Sequence, residues 1–198
     1  MKKTLLLTLI SSSLTLPAFA ALKQGDLAPD FKIQASFAGK ATEFSLTEKL
    51  KSGPVVVYFY PSAYTNGCNL QAHTFSVNSE KFAAAGASVI GVSQDSIKRL
   101  NDFSADPEYC AGKVLVGSDA EGKVAKAFEL SVRPAGEGKL DSRGQTIDHG
   151  FTERTTFVVT PDGKISETIS DLKPAENVAK ALEAVQKLAA EKQTIKKG

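Results

Sequence analysis

The longest unbroken apolar run in the body of the chain is Val55-Val56-Val57-Tyr58-Phe59-Tyr60, and it stops abruptly at Pro61. A β-branched and aromatic run without polar alternation fits a strand covered on both faces. Seven residues past the proline stands Cys68, and Ala72, Phe75 and Phe82 follow it at helical spacing. That spacing predicts one helix from the cysteine to a stop at Gly86. Residues 87–93 repeat the buried-strand pattern. Ile97, Leu100 and Phe103 mark a helix over 95–103, ended by Asp106-Pro107. Upstream, Phe31-Lys32-Ile33 and residues 42–46 alternate like half-buried strands around Ala38-Gly39-Lys40, which predicts an N-terminal hairpin. A single helical turn over 47–50 follows.

Downstream, the pattern predicts a short strand over 113–116 and a helix capped by Ser118-Asp119 that ends near Phe128. Residues 131–150 are rich in glycine and charge and read as an exposed insertion. Two strands, 155–159 and 165–169, flank the tight turn Pro161-Asp162-Gly163-Lys164. An amphipathic helix over 175–190 with a polar, fraying tail closes the chain. This order predicts an α/β protein with a central mixed sheet, helices on both faces and an N-terminal β-hairpin, of thioredoxin-like type.

The first twenty residues stand apart. Met1-Lys2-Lys3 is a positive start, residues 4–16 are apolar, and Ala18-Phe19-Ala20 is a small-x-small cleavage site. These features predict a signal peptide over 1–20, cleaved to leave one domain over 21–198. The apolar run is shorter than the ~20 residues that span a bilayer, so the mature protein is expected to have no membrane anchor. Export through a lysine-led signal points to the bacterial periplasm. The formal net charge of +2 includes Lys2 and Lys3, so the mature chain is balanced. Without a basic stripe, no nucleic-acid partner is expected.

Composition alone leaves the two cysteines, Cys68 and Cys110, open to a structural disulfide. Closing that loop would stabilise the fold by about 4 kcal/mol. The setting of Cys68 suggests chemistry instead. A thiol with an ordinary pKa is only a few per cent ionised at neutral pH. A thiol in the first turn of a helix faces unpaired N–H groups and the positive end of the helix dipole, which favour the thiolate. Arg154, just before the 155–159 strand, is the candidate cation. Thr65 can place a hydroxyl beside the sulfur, and Pro61 fixes the strand exit and shields the loop backbone.

Taken together, Pro61-x-x-x-Thr65-x-x-Cys68 after Tyr58-Phe59-Tyr60 resembles the active-site signature of the peroxiredoxins. Glu153-Arg154-Thr155-Thr156-Phe157-Val158-Val159 with its following turn is similar to their arginine-bearing strand. Gly91-Val92-Ser93-Gln94-Asp95-Ser96 and the stretch from Gly117-Ser118-Asp119 to Ala127-Phe128 extend the resemblance over nearly all of the mature chain. It implies a thiol-dependent peroxidase in which Cys68 attacks hydrogen peroxide or an organic hydroperoxide, Thr65 holds the peroxide and Arg154 binds its oxygens. It implies no metal, flavin or haem cofactor. An external thiol reductant such as a thioredoxin-like protein would supply electrons to a monomer or weak homodimer.

The chain departs from the bacterioferritin-comigratory or Q type that it most resembles. His73 stands where a second cysteine is frequent, and Gln71 where a glutamate is common. The resemblance therefore leaves Cys110 as the candidate resolving cysteine, with one-cysteine turnover as its alternative. His73 lies about 140° around the helix from Cys68 and reads as a surface residue. His149 reads as solvated. Two other functions stay open: a thioredoxin-like thiol-disulfide oxidoreductase, disfavoured by the lack of Cys-x-x-Cys, and a non-catalytic, disulfide-stapled binding domain.

Overall fold

The computed structural model describes residues 21–197; the signal-peptide reading falls on 1–20, outside the described residues. The hairpin β1 (Lys32–Phe37) and β2 (Lys40–Ser45) comes first, then α1 (Leu46–Leu50) and β3 (Val55–Phe59). Helices α2 (Asn66–Val77) and α3 (Ser79–Ala84) lead to β4 (Ser88–Ser93), α4 (Ile97–Ala105), β5 (Leu115–Ser118) and α5 (Lys123–Ala127). The short β6 (Val132–Arg133) and β7 (Phe151–Thr152) pair as a separate ribbon. Strands β8 (Thr155–Val159) and β9 (Ile165–Ile169) precede the terminal helix α6 (Pro174–Lys197).

Seven strands form one mixed sheet in the order β2-β1-β5-β4-β3-β8-β9. Central β3 runs parallel to β4 and antiparallel to β8. All five of its residues are buried, and they alternate between two cores. Val56 and Tyr58 face Phe75, Leu100, Phe103 and Val185, side chains of α2, α4 and α6. Val55, Val57 and Phe59 face Leu46, Val124 and Phe128 on the other side. Each such side chain removed from water contributes about 1.5–3 kcal/mol, so β3 is the strand that both layers depend on. Tyr58 stacks on Phe75 with centroids 4.3 Å apart. Gly91 in β4 makes room for that ring, since a Cβ there would run into it.

The thioredoxin-like α/β architecture, the mixed sheet and the hairpin are as the sequence predicts. Several local features differ. The helix after Cys68 breaks at Asn78, whose side-chain amide donates to the Thr74 carbonyl at 2.9 Å and competes with the backbone ladder. Phe82 still reaches the core from α3. Helix α4 begins two residues later than the pattern suggested, because Ser96 is its cap and accepts from the Arg99 N–H at 3.3 Å. Asp95 is thereby released to turn inward. The strand predicted over 113–116 lies at Leu115–Ser118. Asp119 does cap α5, but from a distance, accepting from the N–H groups of Val124 and Ala125 at 3.0 and 2.8 Å. Helix α6 continues through its polar tail, where lysine and glutamate are good helix formers.

The segment 131–150 is largely exposed, as the sequence predicts, but it is anchored to the body of the fold: Asp141 and Ile147 are buried, and the Ser142 N–H donates to the Tyr64 carbonyl in the loop before α2 at 2.8 Å.

Candidate active site

The exit of β3 and the start of α2 together place Cys68. The Tyr60 N–H still donates to the Val92 carbonyl at 3.1 Å, and the chain leaves the sheet at the half-buried Pro61. Ser62 and Ala63 then turn inward to Asp95, whose carboxylate accepts from the Ser62 hydroxyl at 3.0 Å and the Ala63 N–H at 2.8 Å. Thr65 is the N-cap residue, with extended backbone. Its hydroxyl does not cap the helix but donates to the Ser62 carbonyl at 2.9 Å. That oxygen can therefore only accept a further hydrogen bond. Cys68 lies in the first turn, 2 % exposed, with its N–H on the Thr65 carbonyl at 2.9 Å.

Strand pairing brings the cation. Phe59, the last residue of β3, sits opposite Thr155, the first of β8, so the antiparallel register sets Arg154 beside the loop that leads into α2. Its Nη2 lies 3.3 Å from Cys68 Sγ. Its Nη1 donates to Gln71 Oε1. Gln71 is fully buried and donates through Nε2 to Asn177 Oδ1 at 3.1 Å. Asn177 Oδ1 also accepts from the Thr156 hydroxyl at 2.6 Å, and its Nδ2 donates to the Ile169 carbonyl at 3.1 Å. A buried polar chain thus runs from α6 to the guanidinium and holds it against the sulfur. Gly67 completes the fit, since a Cβ there would sit 3.2 Å from Arg154 Nη2.

The structure therefore brings Arg154 to Cys68, with Pro61 and Thr65 on the loop that leads to it. Gly67 and Asn177 went unremarked in the sequence, and Gln71 was noted only as a departure. Asn177 carries one signal: it lies in helical register with Ala181 and Val185, so a polar side chain interrupts an apolar stripe.

Cys110 lies in the turn after α4, fully buried, and belongs to the same core cluster as Cys68. Both are free thiols. Burial, with the charge of Asp106 added, pushes the Cys110 thiol well above the ordinary range. His73 is exposed, with Nδ1 3.0 Å from the Glu108 carbonyl oxygen. His149 is not solvated, contrary to expectation: its Nε2 is 2.9 Å from Asp95 Oδ1, and its side chain is 11 % exposed. Among the described residues, no group of three or more His, Cys, Asp or Glu is placed to hold a metal ion.

A nucleophilic sulfur at a helix N-terminus, a guanidinium on it and an accepting hydroxyl one turn earlier suit attack on a small polar electrophile. Residues 24–168 match the model of the AhpC/TSA family. The chain belongs to that family, the peroxiredoxins. It is 31% identical over 156 residues to peroxiredoxin Bcp of Escherichia coli K12, covering 79% of this chain and 90% of that protein. A putative peroxiredoxin of Mycobacterium tuberculosis H37Rv is 33% identical over 149 residues, 75% of this chain and 86% of its own. Among solved structures, peroxidoxin BcpB of M. tuberculosis superposes with a TM-score of 0.69 at 31% identity, over 83% of this chain and 97% of that one. The Xanthomonas campestris bacterioferritin comigratory protein, studied for alkyl peroxide reduction, gives 0.63 at 26% identity, over 79% and 92%. This peroxiredoxin is accordingly a thiol-dependent peroxidase, an oxidoreductase. Peroxiredoxins reduce peroxides with electrons from thioredoxin-like reductants.

Proposed function

We propose that the chain is an exported peroxidase that reduces hydrogen peroxide and organic hydroperoxides, with Cys68 as the peroxidatic residue. The observation that carries this reading is the 3.3 Å approach of Arg154 Nη2 to Cys68 Sγ in the first turn of α2. The thiolate attacks the terminal oxygen of ROOH, the O–O bond breaks, and RO⁻ leaves to become ROH while the sulfur becomes a sulfenic acid. Arg154 and the helix N-terminus stabilise negative charge first on sulfur and then on the departing oxygen. Thr65 Oγ1, its own proton committed to Ser62, accepts the peroxide O–H. Pro61 keeps water off the loop.

Cys110 then resolves the sulfenic acid: its sulfur joins that of Cys68, and the hydroxyl leaves as water. A thioredoxin-like dithiol reduces the disulfide and is itself oxidised. Membership of one core cluster by both thiols supports the pairing. The amino-terminal Lys2-Lys3, apolar run and Ala18-Phe19-Ala20 support export to a bacterial periplasm.

Peroxide consumption with a thioredoxin-type donor tests the assignment. Cys68→Ser is expected to abolish it, and wild-type turnover in that variant would sink the reading. After one equivalent of peroxide, mass spectrometry of the wild type is expected to show a Cys68–Cys110 disulfide. Persistent sulfenic acid would retire Cys110 as the resolver. Amino-terminal sequencing of the protein recovered from a periplasmic fraction is expected to begin at Ala21.

A further inference from the structure

The sulfur and phenol side chains, the groups that most readily lose one electron, lie together in this protein. The sequence has four tyrosines, two cysteines and no tryptophan, and its single methionine is Met1. Tyr58, Tyr60, Tyr64, Cys68 and Cys110 all belong to the core between the sheet and helices α2, α4 and α6, and Tyr109 packs against it. The rings form a connected path. Tyr58 stacks on Tyr60 with centroids 5.5 Å apart. Tyr60 meets Phe103 at 6.3 Å, and Phe103 meets Tyr64 at 5.0 Å and Tyr109 at 5.6 Å. Tyr64 and Tyr109 are 5.7 Å apart. Tyr58 and Tyr60 are buried, and half-buried Tyr109 is the end that solvent reaches.

The two inner tyrosines carry hydroxyls that the fold does not use. Neither makes a hydrogen bond, and the Ser93 hydroxyl beside Tyr60 is given to Asp95 at 2.7 Å. An orphaned buried hydroxyl weakens the fold. Phenylalanine, which fills the same core at Phe75, Phe82 and Phe103, would avoid that loss. Burial pushes both phenols well above their ordinary 10, aided at Tyr58 by charge on Cys110 or Cys68 and at Tyr60 by Asp95. Tyr58 therefore lies within electrostatic reach of both sulfurs. Neither phenol can shed a bare proton into this core. Each can give a whole hydrogen atom, which creates no charge, and a phenol does so most readily when its O–H is not hydrogen-bonded.

We propose that the four tyrosines are a hydrogen-atom relay that gives the protein a second activity, the quenching of alkylperoxyl radicals at Cys68. The Cys68 thiolate gives the radical one electron, a proton from water completes ROOH, and a thiyl radical remains on the sulfur. The thiyl radical takes the phenolic hydrogen of Tyr58 and becomes a thiol, which ionises again; a tyrosyl radical is left on Tyr58. Tyr60, then Tyr64 and Tyr109 beyond Phe103, pass hydrogen atoms inward, so the radical emerges at Tyr109. A small thiol in solution restores the hydrogen there, and two of the resulting thiyl radicals join as a disulfide. The hydroperoxide released is a substrate of the peroxidase reaction. Entry at Cys68 rests on that residue being the one that meets peroxides; transfer among the tyrosines does not.

The test exposes the reduced full chain to peroxyl radicals from a water-soluble azo initiator in air. Radicals are read by freeze-quench electron paramagnetic resonance, and a nitrone trap followed by mass spectrometry assigns them to residues. The wild type is expected to show a tyrosyl signal with adducts on Tyr109, and Cys68→Ser to lose both. Tyr58→Phe and Tyr60→Phe keep the ring and remove an unpartnered hydroxyl. Both are expected to retain wild-type peroxide reduction and a melting temperature no lower than that of the wild type. They should lose the Tyr109 adduct and collect several-fold more adduct on Cys68. A wild-type signal in both tyrosine variants overturns the relay. A wild-type signal in Cys68→Ser, from direct attack on Tyr109, overturns the activity at the sulfur. Transfer from Cys68 to Tyr109 in a protein that reduces no peroxide refutes the peroxidase reading and leaves the relay standing. Peroxide reduction in a wild type whose radical stays on Cys68 refutes the relay alone.

Discussion

Gln71 on α2 and Asn177 on α6 stand 106 residues apart and share a buried hydrogen bond of 3.1 Å. Through it the last helix of the chain steers Arg154. Asn177→Ala would leave the Gln71 amide and the Thr156 hydroxyl without their shared acceptor, and each orphaned buried group costs about 1–3 kcal/mol. Urea unfolding is expected to show a loss of about 3 kcal/mol. Peroxide reactivity should fall as well, because the guanidinium loses its brace. A variant that loses stability but keeps wild-type reactivity would separate the chain of contacts from the chemistry.

Arg154→Lys keeps the charge but not the fork. An ammonium cannot face Gln71 and Cys68 from two fixed nitrogens. Loss of one aligned donor at a developing charge costs roughly a hundredfold or more in rate. A fall of that size in the second-order rate with hydrogen peroxide is expected, measured by stopped-flow, with thermal stability little changed.

Gly67→Ala should divide stability from activity in the opposite direction. The residue lies inside α2, where alanine is favoured over glycine by about 1 kcal/mol. The added Cβ would press on Arg154 Nη2 and stand 3.5 Å from Pro174 Cγ. Displacing a catalytic donor by a fraction of an ångström slows chemistry sharply. We expect a melting temperature equal to or above that of the wild type and a peroxidase rate several-fold below it.

The Asp95–His149 pair gives the stability of the protein a signature in pH. Burial opposes the charged imidazole, but the hydrogen bond and charge of Asp95 outweigh it, so His149 titrates above its ordinary 6.5 despite the repulsion of Arg99. Burial likewise opposes the Asp95 carboxylate, yet His149, the Ala63 N–H and the Ser93 hydroxyl hold it below its ordinary 3.8. The histidine contribution is therefore full below pH 6.5 and is lost as pH rises through the higher folded value. That of the aspartate is full above pH 3.8 and is lost as pH falls through the lower one. His149→Gln is expected to destabilise the protein at about pH 6 and progressively less toward alkaline pH. A pH-independent difference in urea unfolding would contradict the pairing.

The sequence made the loop between β3 and α2 legible because its signals are local. Val55–Phe59 announces a two-sided strand, Pro61 ends it, and a helical stripe starts at Cys68. Arg154 could be named because the residues after it carry the β8 pattern. What stayed hidden depends on partners distant in sequence. Residues 131–150 read as wholly solvated because glycine and charge usually are; Asp141 is buried there, where Arg99, 42 residues earlier, meets it beside Arg143. His149 was misjudged for the same reason, its partner Asp95 lying 54 residues away. The break at Asn78 is a side-chain competition that apolar spacing cannot register.

On the proposed reading, the hydroxyl of Thr65, with its proton given to Ser62, would also limit which oxidants react. An oxygen that can only accept asks its guest to bring a hydrogen, so such a site would sort oxidants by whether they carry an O–H. Hydroperoxides would qualify whatever their alkyl group, whereas a dialkyl peroxide has the same weak bond and nothing to offer Thr65. The deprotonated hydroperoxide anion, a better partner for Arg154 in charge, would meet a lone pair with a lone pair.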